Sequence, residues 1–194
     1  GAQGVMALDI TDPNAFGTDK VLWEFTDKDD GDIGNVTSQP KIAKVKINGK
    51  TEYFIVVSGG YNNYQTDALP ITSNSVGDGY VFMLSLNKPQ AAPWSLGSNY
   101  FKFKLPLTTI LTANGVGGVA VDTDNNNFAT AIFAGDLQGN LWKVLFPSDD
   151  PNAWAVSKFA SLQDSGNKSQ PITADPTLVA GPGKTTVVVV GTGR

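Results

Sequence analysis

The stretch Asp122–Trp142 reads DTDNNNFATAIFAGDLQGNLW. Three signals follow one another in it. Asp122, Asp124 and Asn126 present side-chain oxygens at alternate positions. Phe128 to Ala134 is a short apolar run with β-branched members. Asp136 to Gly139 is a turn signal, and the apolar-polar stretch Leu141 to Leu145 follows at once. The pattern predicts strand, acidic loop, strand, tight turn, strand.

Outward from this stretch the same order recurs. Before it, Gly79–Leu86, Tyr100–Leu105, Gly118–Val121 and Ala129–Ala134 read as four short strands. Earlier still, Gly4–Ile10, Val21–Phe25, Pro40–Val45 and Tyr53–Val57 repeat that order and end in the breaker pair Gly59–Gly60. A third round opens at Gly139–Trp142 and continues through Ala155–Ala160, Pro171–Val179 and Thr186–Val190. Gly4, Gly79 and Gly139 are the anchors of the three rounds. Helical periodicity is nearly absent. Four short strands per round is the signature of a propeller blade, which buries its apolar positions only against neighbouring blades.

The expected fold class is therefore all-β: a partial β-propeller with quinoprotein-like blades of four antiparallel strands. Residues 1–194 form a single unit of about three blades, at 1–78, 79–138 and 139–194. Closed propellers have about 4 to 8 blades. Three rounds leave strand edges exposed, and exposed edges invite pairing with another chain, so an edge-mediated homo-oligomer is an expectation. The polar stretch Asn62–Asp78 reads as an exposed insertion. Gly1 is not a natural start, which points to a piece of a longer protein.

Composition narrows the function. Of 194 residues, 41% are hydrophobic and 16% charged, enough to bury one core. The net charge of −4 argues against a nucleic-acid partner, which needs a basic face. There is no Cys, so neither a disulfide framework nor a thiolate metal site. There is no His, which removes the usual general base and the commonest metal ligand. No apolar run approaches the roughly 18 residues of a membrane span.

The loop from Asp122 carries the strongest chemistry. Asp122, Asp124 and Asn126 stand at relative positions one, three and five, Phe128 offers a backbone carbonyl at seven, and Thr130 stands at nine. Calcium takes six to eight oxygens of these kinds. Asn127 tolerates the left-handed conformation that such a loop needs. A full EF-hand is excluded, since position twelve is Phe133 and the flanks read as strands. An Asx-rich turn that binds nothing is the alternative. The second acidic loop, Asp27 to Asp32, is interrupted by Lys28 and reads as a solvated turn. Gly181 to Thr185 lies between strands and reads as a hairpin turn rather than a phosphate loop. Trp23, Trp94, Trp142 and Trp154 fall in or beside strands, where core packing is expected.

These residues resemble a family. Gly4 to Pro13, Val21 to Asp27 and Gln39–Pro40 look like the first blade of the C-terminal domain of PilY/PilC-type pilus biogenesis proteins. Gly60–Asn63 is similar to that family's loop after the fourth strand. Asp122–Lys143, above all AGDLQGNLWK at Ala134–Lys143, is the most specific stretch, and Gly191–Arg194 resembles the start of a later segment. The resemblance implies a modified β-propeller at the cell surface or outer membrane of a Gram-negative bacterium. It also implies a role in type IV pilus assembly, adhesion and twitching motility, with pilins, minor pilins or a host surface as partners. It implies a calcium loop that opposes pilus retraction, with Asp122, Asp124 and Asn126 as side-chain ligands and Phe128 giving its carbonyl. The family usually has a carboxylate where this chain has Thr130, and often Asp where it has Asn126. With two charges missing, a weak site is expected, with Kd on the order of 10⁻⁴ to 10⁻³ M, or one that has been lost.

Three function classes follow. The first is a non-enzymatic, calcium-responsive pilus module. The second is a quinoprotein-like dehydrogenase using pyrroloquinoline quinone, whose blades share the Gly4–Asp9 and Leu22–Trp23 flavour. The third is an ion-free scaffold.

Overall fold

The computed structural model describes residues 3–63, 77–107 and 114–193. Most of the expected insertion at 62–78 lies outside them. Twelve strands are present among the described residues: β1 (Gly4–Leu8), β2 (Val21–Thr26), β3 (Lys41–Ile47), β4 (Lys50–Ser58), β5 (Gly79–Ser85), β6 (Tyr100–Leu105), β7 (Val116–Thr123), β8 (Ala129–Asp136), β9 (Asn140–Leu145), β10 (Ala155–Ser161), β11 (Thr177–Ala180) and β12 (Thr186–Val189). The only helical segments among these residues are single 3₁₀ turns, including Pro13–Ala15 and Pro151–Ala153. Each of those two turns is capped by the preceding aspartate, Asp12 or Asp150, which accepts from the backbone N–H two residues on. The all-β reading holds.

The strands form two four-stranded antiparallel sheets, β3-β4-β5-β6 and β7-β8-β9-β10, and two hairpins, β1-β2 and β11-β12. The sheets do not follow the sequence rounds. Each takes the third and fourth strands of one round and the first and second of the next. The boundaries expected at 78/79 and 138/139 therefore fall inside sheets, between β4 and β5 and between β8 and β9. A repeat states the order of the strands but not which end of the unit starts a sheet.

Alternation then fills three layers. Phe54, Val56, Val81, Met83, Phe101 and Phe103 leave one face of the first sheet and meet Ile132, Ala134, Trp142, Val144 and Trp154 of the second. The residues between them, Val57, Phe82, Leu84 and Tyr100, turn the other way and meet Trp23, Phe25 and Ile33. On the far side of the second sheet, Ala131, Phe133 and Leu141 pack with Ile172, Leu178 and Val188. Successive side chains point to opposite faces, so every core lies between two sheets and none within one. The four tryptophans line these layers as expected, with Trp94 meeting Trp23 edge-on at 5.3 Å between centroids.

The faces also correct the repeat anchors. Val5, Val81 and Leu141 face the following sheet, while Phe82 and Trp142 face the preceding one. Met6 occupies the equivalent place on β1. The true equivalents of Gly79 and Gly139 thus lie one residue before Gly4. A single-residue slip exchanges the two faces of a strand, so burial decides the register. Met6 is 60% exposed, and so is Phe16 at 57%, although its equivalent after the second capped turn, Trp154, is 9% exposed. At the opposite end Val187 and Val189 are exposed on β12. Both ends of the stack present apolar faces of the kind that elsewhere in the chain lie between sheets.

The acidic loop at Asp27–Asp32 is not a solvated turn. The Asp30 side chain is only 7% exposed and pairs with the Lys102 ammonium at 2.8 Å. It also accepts from the Tyr100 hydroxyl at 2.8 Å, and Lys102 reaches Asp32 as well. Burial, then the Asp30 hydrogen bond, pushes the Tyr100 phenol above its ordinary range. For Lys102 burial works to lower the pKa, but the Asp30 and Asp32 carboxylates outweigh it and the net shift is upward. A raised lysine pKa contributes stability that is complete below the ordinary lysine value and is lost only as pH rises through the raised one. Lys102→Met leaves the buried Asp30 carboxylate with one side-chain donor. It is expected to cost about 1–3 kcal/mol, measured by urea unfolding at neutral pH. An unchanged midpoint would show that the pair is neutral to stability.

Candidate functional site

The candidate ligand loop is the hairpin between β7 and β8. Asp122 lies in β7 itself, opposite Ala131, next to an irregularity in the ladder. The turn proper spans Asp124–Phe128. The Asp124 N–H donates to the Phe128 carbonyl at 2.8 Å, and the Asn127 N–H donates to the Asp124 carbonyl at 3.0 Å. One carboxylate oxygen of Asp124 accepts the N–H groups of Asn126 at 2.8 Å and Phe128 at 2.9 Å. Asn127 takes φ +62°, the left-handed conformation expected of it. A short side-chain acceptor at Asp124 is therefore what closes the loop, as in an Asx turn.

The loop does not stand free in solvent. Phe128 forms a parallel bridge with Lys44 on β3, so the loop leans on the neighbouring sheet. The Lys44 ammonium donates to the Asn126 carbonyl at 3.2 Å and lies 4.1 Å from the centroid of the Phe128 ring. The Lys46 ammonium, two residues along the same strand, lies 5.3 Å from that centroid. Asp124, Asn126, Phe128 and Thr130 line one open groove of about 490 Å³ with Lys46 and Trp154. Asp122 is not on its wall; its carboxylate accepts the Thr123 N–H at 3.1 Å. Four of the five expected ligand residues thus line one groove, and the fifth, Asp122, lies outside it, paired with Ala131 of the third core.

The donor set fits a hard cation in kind: carboxylate, amide, carbonyl and hydroxyl oxygens. It is poor in charge, and among the described residues no group of three or more His, Cys, Asp or Glu converges anywhere. The residues that sequence reasoning missed are Lys44 and Lys46. Their one signal is their alternation on one face of β3, and nothing local to β3 says that this face meets the loop.

The motif Ala134–Lys143 serves another purpose. Its Asp136 is fully buried. One carboxylate oxygen accepts the N–H groups of Gln138 at 2.9 Å and Asn140 at 2.8 Å. The other accepts from the Trp142 indole N–H at 2.7 Å and the Asn114 amide at 3.1 Å. The Asn140 amide reaches both oxygens. This carboxylate is saturated by donors and is a tie between the β8–β9 turn, β9 and the segment before β7.

No protein-family model matches the chain. Among curated proteins, it is similar over its whole length to the type IV pilus biogenesis factor PilY1 of Pseudomonas aeruginosa strain UCBPP-PA14, with 29% identity over 221 aligned positions. A PilY1 homolog of Xylella fastidiosa strain Temecula1 is 31% identical over 91% of the chain. The chain spans 17% and 12% of the length of these relatives. The crystal structure of the Pseudomonas aeruginosa PilY1 C-terminal domain superposes with a TM-score of 0.74 at 27% identity, covering 100% of this chain and 39% of that one. The resemblance read in the sequence is borne out in sequence and in fold.

Proposed function

We propose, from the similarity to PilY1 across the whole of this chain, that the chain is a non-catalytic segment of a type IV pilus biogenesis protein. It serves as an assembly and adhesion module at the cell surface of a Gram-negative bacterium and engages pilins or other pilus components. The observation that carries the reading is the agreement of sequence and fold over the entire chain. A binding role is also supported by chemistry, since the whole sequence lacks His and Cys, the usual proton carrier and the strongest nucleophile. No helix among the described residues is long and apolar enough to cross a membrane. The apolar end faces at Met6 and Phe16 and at Val187 and Val189 are where further blades attach, from the parent protein or from a second copy. A strain lacking the parent protein should lose sheared surface pili and regain them on complementation. Normal piliation without it would overturn the assignment.

The finer part of the reading is calcium. The Asp122–Thr130 loop binds calcium weakly, stiffening the hairpin that leans on β3 and so the groove beside it. Isothermal calorimetry should give a Kd on the order of 10⁻⁴ to 10⁻³ M. Asp124→Asn should weaken this by about tenfold or more, because it removes one of two charges from the shell. Binding that is indifferent to Asp124 would place the ion elsewhere.

A further inference from the structure

We propose that Lys44 is a built-in cation of the Asp122–Thr130 loop, and that it sets how tightly the loop holds a divalent metal ion. The inference rests on the calcium reading above and concerns a residue of a different sheet.

Three observations point to it. The Lys44 ammonium is already bonded to a loop oxygen, the Asn126 carbonyl, at 3.2 Å. It sits over the Phe128 ring at 4.1 Å, a geometry in which the ring face holds a positive charge. Its backbone bridge to Phe128 fixes the root of the side chain against the loop, so the contact is not a chance excursion of a long surface lysine. Lys46 adds a second ammonium from the same face, at 5.3 Å from the same ring.

Neither lysine is neutralised elsewhere. Among the described residues the ion pairs of lysine involve Lys20, Lys41, Lys102 and Lys104. Lys46 lines the groove together with Asp124 and Asp149, and the Lys44 ammonium is held at the loop's Asn126 carbonyl, so positive charge from β3 stands beside the loop's own carboxylates.

This arrangement has two consequences. The ammonium does part of what a metal ion would do, because it ties the loop carbonyl to β3 without any ion from solution. It also opposes the metal ion, since a like charge close to a divalent ion lowers its affinity. In water-like surroundings with physiological screening, a like charge bonded to an oxygen of the same loop lowers the affinity for a divalent ion by about three- to tenfold. The loop thus trades calcium affinity for a tether that is always present.

The test uses the 194-residue chain and calcium chloride, read by calorimetry and by thermal unfolding with calcium or with chelator. Lys44→Met is expected to tighten calcium binding by about three- to tenfold and to increase the calcium-dependent rise in melting temperature. Lys44→Arg, which keeps the charge, should leave both as in the parent chain. Lys44→Met combined with Asp124→Asn should lose the gain. Binding seen only in Lys44→Met would support the same conclusion, with the ammonium displacing the ion altogether. If Lys44→Met binds no tighter than the parent while Asp124→Asn abolishes binding, the role of Lys44 is refuted and the calcium loop stands. If no variant binds calcium, the calcium reading fails and this inference fails with it. Lys46→Met, which leaves the backbone bridge and the Asn126 contact in place, should give a smaller tightening. Its absence in a chain where Lys44→Met does not fold would also refute the proposal.

Discussion

Asp136→Ala is expected to lower the stability of the chain by about 3–5 kcal/mol, enough to leave a domain of ordinary stability largely unfolded. The carboxylate is 0% exposed. No lysine ammonium reaches it among the described residues; its charge is held by oriented N–H groups alone. Alanine takes away the acceptor of the Trp142 indole at 2.7 Å and of the Asn114 amide at 3.1 Å, together with that of the backbone N–H groups of Gln138 and Asn140. A buried donor left without its acceptor costs about 1–3 kcal/mol, and several are affected at once. The loss also spreads between layers. The backbone carbonyl of Asp136 accepts the Ile172 N–H at 2.9 Å, and Ile172 is the centre of the third core. Asp136→Asn keeps the shape but turns an amide toward groups that are themselves donors, so it should fall between the parent and the alanine variant. Urea unfolding followed by Trp fluorescence measures both. A loss below about 1 kcal/mol for alanine would mean that water or neighbouring groups replace the carboxylate, and that the tie is dispensable.

Gly60→Ala should be the second most damaging single change, at about 3 kcal/mol or more, and Gly49→Ala the informative contrast. Both glycines have positive φ, +70° and +79°. At that backbone conformation a side chain costs about 1–2 kcal/mol whatever surrounds it. They differ in what a Cβ would meet. At Gly49, in the β3–β4 turn, there is nothing within 4 Å. At Gly60 a Cβ would run into the Asn35 carbonyl, and the Val36 nitrogen lies 2.9 Å from its position. These are backbone atoms with no rotamer to change. They belong to a crossing where the Asn35 and Tyr61 backbones exchange hydrogen bonds and the Gly60 carbonyl accepts the Val116 N–H at 3.0 Å. Relieving the clash therefore means parting the loop before β3 from the segment that follows β4, which also pulls that segment away from the start of β7. Equal melting temperatures for the two alanine variants would show that the crossing yields more easily than its contacts imply.

The sequence by itself determined the strands, their order and their inward-facing residues. Alternation is local: Phe54, Val56, Val81 and Met83 announce their faces within a few positions, because a strand has period two whatever it pairs with. Turn chemistry is local too, and Asn127 and the Asp124 side chain close the ligand loop from within it. The tertiary structure decided what lies across from each of these. Which strands share a sheet depends on hydrogen-bonding edges that every strand offers equally, so the repeat left the sheet boundary two strands out of place. Asp30 read as a solvated charge until Lys102, 72 positions away, was brought to it. Asp136 read as a turn former until Trp142 and Asn114 were folded onto it. Nothing in the sequence singled out Lys44, and it reaches the Asn126 carbonyl across 82 positions. A charge in the sequence shows that it needs a partner or water. Only the fold, by deciding which surfaces lose their water together, supplies the partner.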